Sequence, residues 1–554
     1  MRDAASPSSS TSVVPPGRRD VPAGSSLAER LAAPDRFVTI AELVPWRGTL
    51  ELPAGRRALA TALELAADPR IAAISITDNA GGHPALSPQA LAPEFLHRGR
   101  DVIVHVACRD RSRNALLSLG LELASLGVRN VLALSGDYPV EGYAGLSRPV
   151  FDLDSVGLLA MYQGLNLELA GQTAAGASPD AAAPATGSGD VATGGDPLFL
   201  GAVVNPHKRH EAEVLLQYQK LALKVRTGAR FVIEQVGYDA RKDDELLCWM
   251  RRSGLDVPVI ANVYILSGTV GRLFHDEKIP GCVVTDELYE MVQREAATPD
   301  KGRSFFLELA ARQVAIARGL GYAGVYISGH RNPAEVDRIL RTADSFAHDD
   351  WRAFAREIHF AQPGEFHYFE EDADTGLSSD RVSRAYVTSR SRLARRRARL
   401  RASPGYRLSR LAHHAVFAPD SSGFRAGTAF YRRVDGTLLA RPLHALEQLS
   451  KLPLYDCRDC GDCSLPDVAY LCPESQCAKN QRNGPCGGSH DGYCETLGRE
   501  CIWVRAYERL KAWGEEEHML DRPPVLADNG LRRTSAWANT FLGRDHFAAG
   551  KPRE

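Results

Sequence analysis

From residue 37 onward, apolar runs of strand length alternate with longer stretches whose apolar positions recur at helical spacing. The first runs are Phe37-Val-Thr-Ile-Ala-Glu-Leu43, Ala73-Ile-Ser-Ile-Thr-Asp-Asn79, Asp101-Val-Ile-Val-His-Val106 and Asn130-Val-Leu-Ala-Leu134. Phe199 to Asn205, Phe231 to Gln235, Val257 to Asn262 and Gly324 to Ser328 complete a set of eight. Helix-length segments lie between them, among them Arg56 to Ala67, Asn114 to Leu126 and Glu211 to Thr227, and a last one spans Pro333 to Ala343. Eight strands alternating with helices are what closes a (β/α)₈ (TIM) barrel of class α/β.

A barrel gathers the C-terminal ends of its strands on one face. Here those ends carry Glu42, Thr77 with Asp78, His105, Asp137, Asn205, Gln235, Asn262, and Ser328 with His330. A polar residue after a strand is more often a turn former or a helix cap, so any one of them alone says little. Eight of eight predicts a polar mouth.

The flanks differ in composition. Residues 1–28 are Ser, Pro, Ala and Arg without periodicity, which predicts a disordered tail. The barrel then spans 29–345, with a low-complexity surface insertion over 171–197. Its Gly187-Ser-Gly189 follows no strand and is rejected as a dinucleotide fingerprint. A second interruption, Gly268 to Ala297, has room for a short helix and a loop over the mouth. Residues 346–440 read as an irregular extension, with a short strand near Phe366 and a helix from Asp380 to Arg401. Its arginines, Arg390 to Arg401, read as a solvated face.

Eight of eleven cysteines fall between Cys457 and Cys501: Cys457, Cys460, Cys463, Cys472, Cys477, Cys486, Cys494 and Cys501. In a reducing compartment such crowding means metal rather than disulfides, which marks 441–525 as a metal-binding domain and leaves 526–554 as a tail. Two-residue gaps and a Cys-Pro suit iron–sulfur ligation, and tetrahedral zinc takes the same spacing, so both stay open. Cys108, Cys248 and Cys282 stand apart and read as small core residues.

Charge adds exclusions. Lys+Arg 67 against Asp+Glu 68 leaves a net charge of −1, with no global footprint for nucleic acid or an anionic membrane. No run is long enough to span a bilayer and no secretory signal opens the chain, so a cytoplasmic protein is expected.

With these residues in view, about 36 to 340 resemble the methylenetetrahydrofolate reductase family. The likeness rests on Ala41-Glu42-Leu-Val-Pro45, Ser75-Ile-Thr77-Asp-Asn-Ala80-Gly-Gly82, His105-Val-Ala-Cys108, Ala133-Leu-Ser135-Gly136-Asp137-Tyr-Pro139, and Lys224-Val-Arg-Thr-Gly228-Ala229 with later Gln235 and Asp239. The cysteine-rich region is similar to a domain fused to, or partnering, some members. The resemblance implies a flavin-dependent oxidoreductase that interconverts 5,10-methylenetetrahydrofolate and 5-methyltetrahydrofolate through flavin N5. It implies Glu42 as the acid, Asp137 between flavin and pterin, and Gln235 on the pterin edge. Thr77, Asp78, Ala80, His105, Ser135, Gly136, Asp137, Lys224 and His207 (or His210) fall on cofactor-binding positions. The cofactor would be FAD, or FMN, with electrons from NAD(P)H or from a redox protein through the cysteine module; an oligomer is compatible.

Three departures stand out: Ser135 where the family commonly has arginine, Leu223 beside Lys224, and no aromatic counterpart near Gly268. Two other readings stay open: a non-catalytic folate- or flavin-binding protein whose metal module is an assembly surface, and methyltetrahydrofolate oxidation in one-carbon catabolism.

Overall fold

All eight apolar runs become parallel strands of one closed barrel in the computed structural model, which describes residues 26–33, 37–140, 142–176 and 196–548. They are β1 (Val38–Leu43), β2 (Ile71–Ile76), β3 (Asp101–Ala107), β4 (Asn130–Leu134), β5 (Phe199–Val204), β6 (Phe231–Glu234), β7 (Val259–Tyr264) and β8 (Gly324–Ser328). Each pairs with the next, and β8 closes on β1 with Ile327 opposite Ala41. Helices follow the strands as expected, at Pro53–Ala67, Arg113–Ser125, Glu211–Arg226 and Pro333–Ser345.

Alternation along each strand decides which side chains enter the barrel. Val38, Ile40, Ala73, Ile103, Leu132, Phe231, Ile233, Ile260 and Tyr326 form one buried cluster inside. Ala41, Ile74, Val104, Val131, Val232 and Ile327 join the larger cluster between strands and helices. Continuing the inward parity to the strand ends sends Glu42, Ser75, Thr77, His105, Gln235 and Asn262 to the mouth.

The opposite end is closed by helix Leu27–Ala32, opened by a capping box at Ser26. Leu27 is fully buried with the interior cluster, and its N–H donates to Asp101 at the start of β3 (2.6 Å). The expected tail therefore ends before Ser26; residues 1–25 lie outside the described residues. Helix Ser155–Gly176 runs six residues into the expected insertion, of which 177–195 are likewise outside.

Between β7 and β8 the chain forms two helices, Gly268–His275 and Asp286–Ala296. The loop joining them does reach over the mouth: Gly281 O accepts from the Asn205 side chain at the end of β5 (2.9 Å).

The extension departs from expectation. Its strand is Phe369–Glu371, paired with Ser378–Val382, and the single helix expected over 380–401 is two, Arg384–Ser389 and Arg392–Arg401, broken where Ser391 caps the second. Nothing in Arg392–Arg401 is buried, as a solvated face requires. Arg390 is the correction: its guanidinium is enclosed by Glu211, Glu516 and Glu517 at 2.9, 2.9 and 3.1 Å and by the Tyr507 hydroxyl at 2.7 Å.

The cysteine-rich region has little regular structure, yet Trp503, Tyr507 and Leu520 belong to the same buried cluster as the outer face of the barrel. Lys511 and Tyr507 both reach Glu211, at 2.8 Å, on the barrel helix Glu211–Arg226. Residues 526–548 are packed rather than a tail. Phe541, in helix Ala536–Leu542, stacks on Tyr431 and Phe417, and His546 bridges Asp462 and Asp467 at 2.5 and 2.9 Å. No described helix is long and apolar enough to cross a membrane.

Candidate active site at the barrel mouth

Glu42 enters the mouth from the end of β1. Tyr326, from β8, donates its hydroxyl to Glu42 Oε1 (3.0 Å), and the Glu42 carbonyl meets His330 Nε2 at 2.9 Å. The Tyr326 hydroxyl also interacts with Ser75, whose Oγ lies 2.9 Å from His105 Nε2. Burial raises the Glu42 carboxyl to about 7, against the lowering effect of the Tyr326 hydrogen bond. Burial alone pulls His105 down to about 4, so its ring is neutral. A four-member polar chain thus ends in a carboxyl that holds its proton near neutrality.

Asp137 stands across from it. The turn after β4 carries Gly136 at φ +88°, where a Cβ would come within 3.1 Å of Ala107 Cβ. Asp137 Oδ2 accepts from Gly81 N (3.1 Å), which ties the β4 turn to the turn Ala80–Gly82 after β2. Arg109 supports the arrangement by donating to the Asp137 carbonyl (3.1 Å). Cys282, on the loop over the mouth, lies within electrostatic reach of both Asp137 and Glu42. Thr77 is buried nearby and its hydroxyl has no hydrogen-bond partner among the described residues. Gln235 faces the mouth from β6, its Oε1 accepting from Val236 N (2.9 Å). Tyr264, at the end of β7, lies close enough to feel the Glu42 charge and puts an aromatic ring at the mouth; its ring packs edge-on against Phe274.

Four expected cofactor positions make contacts within the protein. Asp78 accepts from Ala107 N (3.1 Å) and pairs with Arg111 at 2.5 Å, a bond within the wall. Lys224 is buried behind the wall and donates to Val203 O (2.7 Å); burial lowers its ammonium to about 7. His207 packs outside the strands, beside Glu234 and Asp243. Ser135 does reach the mouth side, but its hydroxyl donates to Gln481 of the cysteine module (3.1 Å). The remaining set, Thr77, Ala80, His105, Gly136 and Asp137, lies together along β2 to β4.

That module is seated on the mouth. Lys479 Nζ donates to Gly136 O (3.0 Å) and pairs with Glu495. Lys208, after β5, donates to Gly487 O (2.6 Å) and Ser489 O, while Lys220 donates to Gln481 Oε1 and to the Gly484 and Pro485 carbonyls (3.0, 3.1 and 2.8 Å). Its thiols, all free, sort into two sets. Cys457 and Cys460 lie within electrostatic reach of Cys463 and Cys472; Cys477 lies within reach of Cys486 and Cys494, and Cys501 within reach of Cys477 and Cys486. The second set lines one cavity with Lys479 and Gln481.

Strand periodicity could have found Ser75 and Tyr326, which share the inward parity of Ala73 and Gly324. Arg109, Lys479 and Gln481 had no such signal, because their roles depend on tertiary contacts.

Among solved structures, the chain is similar to an uncharacterised Clostridium thermocellum protein that binds two copies of 5-methyl-5,6,7,8-tetrahydrofolic acid, at 12% identity and TM-score 0.40, covering 58% of this chain and 98% of that one. It is also similar to Xanthomonas albilineans dihydropteroate synthase, at 12% and 0.32, covering 58% and 97%. No curated protein matches. The family described as methylenetetrahydrofolate reductase matches residues 29–166, which hold β1 to β4, and the one described as methylene-tetrahydrofolate reductase C terminal matches 438–527, the cysteine module. Both matches are to the methylenetetrahydrofolate reductase family, one over the first half of the barrel and one over the cysteine module.

Proposed function

We propose that the protein is a flavin-dependent oxidoreductase that interconverts 5,10-methylenetetrahydrofolate and 5-methyltetrahydrofolate at the barrel mouth, with electrons delivered through the cysteine module. The family match over residues 29–166 supports the folate-related and oxidoreductase parts of this reading. The observation that carries the rest is Glu42, an inward carboxyl that keeps its proton to about pH 7, with Cys282 within electrostatic reach of both it and Asp137.

The residues along β2 to β4 fit a flavin. Thr77 offers a buried hydroxyl with no partner, His105 a neutral ring, and Gly136 a close backbone approach. A flavin held there would supply hydride transfer at N5. The protein supplies the proton: opening the folate five-membered ring needs an acid at the departing nitrogen, and Glu42 is the protonated carboxyl on that face. Tyr326 orients Glu42 and, with Ser75 and His105, offers a route for its proton to be replaced. Asp137 places a fixed negative charge beside the pterin and flavin, which disfavours an anionic ring and tunes its potential. Gln235 contributes a donor and an acceptor to the pterin edge. The segment Gly484–Ser489, held by Lys208 and Lys220, covers part of the mouth and limits water.

The two cysteine sets suit iron–sulfur clusters better than zinc. The two-residue gaps of Cys457, Cys460 and Cys463 and the Cys472-Pro473 pair are those of cluster ligation. Cys477, Cys486, Cys494 and Cys501 would hold the cluster nearer the mouth, since Lys479 joins their cavity to Gly136.

Glu42→Gln tests the assignment. Flavin and folate binding persist while turnover falls about a hundredfold or more. Undiminished turnover would remove Glu42 from the mechanism.

A further inference from the structure

Behind Gln235, on the helix side of the barrel wall, three metal-ligating side chains converge on one point. Glu234 ends β6 with the outward parity of Val232. His207 comes from the loop after β5, and Asp243 from the first turn of helix Ala240–Arg252. His207 Nε2 stands 3.4 Å from Asp243 Oδ1 and 3.7 Å from Glu234 Oε1, and the three ligand atoms all lie within 4.8 Å of one another. Ligands held at about 2.0–2.2 Å by a tetrahedral ion are separated by about 3.3–3.6 Å, so the triangle is already close to the size of one coordination face.

The site is built rather than incidental. His207 and Glu234 are 4% and 3% exposed, and neither His207 Nε2 nor Glu234 Oε1 has a hydrogen-bond partner among the described residues. The His207 ring makes its hydrogen bond to the Gln235 backbone instead, an arrangement that leaves the Nε2 lone pair aimed at the carboxylates. Gly237 makes the space for it, since a Cβ there would lie 1.9 Å from Nε2. The same cavity is lined by Gln313, whose Nε2 donates to Gly237 O (3.0 Å) and whose Oε1 has no partner either. Lone pairs from an imidazole and two carboxylates repel one another unless a cation or a proton lies between them.

A neighbouring cluster shows the contrast. Asp239, Glu365 and His367 also converge, but Lys242 stands 3.3 Å from Glu365 and His359 2.7 Å from Asp239, so cations of the protein already balance it. The His207 cluster has no ammonium or guanidinium at ion-pair distance among the described residues.

We propose that His207, Glu234 and Asp243 bind one divalent transition cation of the zinc type, with a fourth position for water or the Gln313 amide oxygen. One such ion against two carboxylates and a neutral imidazole leaves no net charge in the cavity, which offsets their burial. Asp243, with 22% of its side chain exposed, gives the ion a way in. Bound there, the ion would tie the end of β6 to the β5 loop and to helix Ala240–Arg252. It would thereby fix the strand end from which Gln235 enters the mouth.

The test uses the anaerobically purified full chain and the near-isosteric double variant Glu234→Gln/Asp243→Asn. Both are equilibrated with excess zinc, desalted, and assayed for zinc and iron by elemental mass spectrometry. The expected result is one more zinc per chain in the unmodified protein, with equal iron in the two, so that loss of zinc from the cysteine module is separated from loss at this site. Equal zinc with equal iron overturns the proposal and leaves a proton shared between the two carboxyls. Should the variant not fold, zinc-edge anomalous scattering from zinc-soaked crystals of the unmodified protein decides. A peak within about 2.5 Å of His207 Nε2 supports the site, and zinc found only elsewhere overturns it.

Discussion

Glu42 carries two predictions of opposite sense. Its folded pKa of about 7 lies above the ordinary carboxyl value of 4.5, so between those values the folded protein binds more protons than the unfolded chain. Stability from this group is fully present below about pH 4.5 and is lost as pH rises through about 7. Glu42→Gln therefore loses turnover but gains stability relative to the unmodified protein at alkaline pH. Melting temperatures should match near pH 4.5 and diverge by pH 8, by on the order of 1–3 kcal/mol in the variant's favour. Tyr326→Phe removes the hydrogen bond that lowers the Glu42 pKa, so the alkaline limb of the kcat profile should move to higher pH. An unmoved limb would separate Tyr326 from the acid. At this scale the sequence pointed to the mouth for Glu42, Asp137 and Gln235, because each continues or directly follows an inward-facing run. It did not show that His207, Asp78 and Lys224 make contacts within the wall, because a polar residue near a strand end serves the wall as readily as the mouth, and only packing tells which.

Elements were legible wherever one apolar period ran unbroken. All eight strands form on their expected runs, with ends displaced by up to three residues at β2 and two at β7, since a parallel strand covered on both faces reads as a continuous apolar stretch. The extension was less legible. Between 380 and 401 the arginine-rich composition masks a boundary, and Ser391, a good cap, starts a new helix after a residue whose guanidinium is enclosed. Arg390 is that residue, and replacing it with methionine strands the enclosed Glu516 without its cation and leaves Glu211 with Lys511 alone. The expected loss is about 3–5 kcal/mol, seen as a lowered melting temperature, whereas Arg396→Ala on the exposed helix changes it by less than about 0.5 kcal/mol. Similar effects from both would mean that Arg390 is solvated after all. Gly136→Ala introduces a Cβ where φ is +88° and Ala107 leaves 3.1 Å, and should lower both stability, by about 1–3 kcal/mol, and flavin retention.

At the scale of the molecule, the cysteine module and the barrel form one functional face. The thiol spacings raise the expectation of a metal, but nothing in the sequence said that Lys479, Gln481 and the Gly484–Ser489 segment would sit on the strand ends, since docking depends on contacts more than two hundred residues apart. Ser135 gains its meaning from this: where arginine is common in the family, a hydroxyl here bonds the module. Lys479→Met should slow turnover driven through the module about tenfold while leaving turnover of chemically reduced enzyme within about twofold. The central claim is most directly tested by anaerobic absorbance of the full chain. The account predicts a yellow protein that bleaches on reduction and recovers its flavin colour when methylenetetrahydrofolate is added. A protein that retains no flavin, or whose reduced flavin is not reoxidised by that folate, would contradict it.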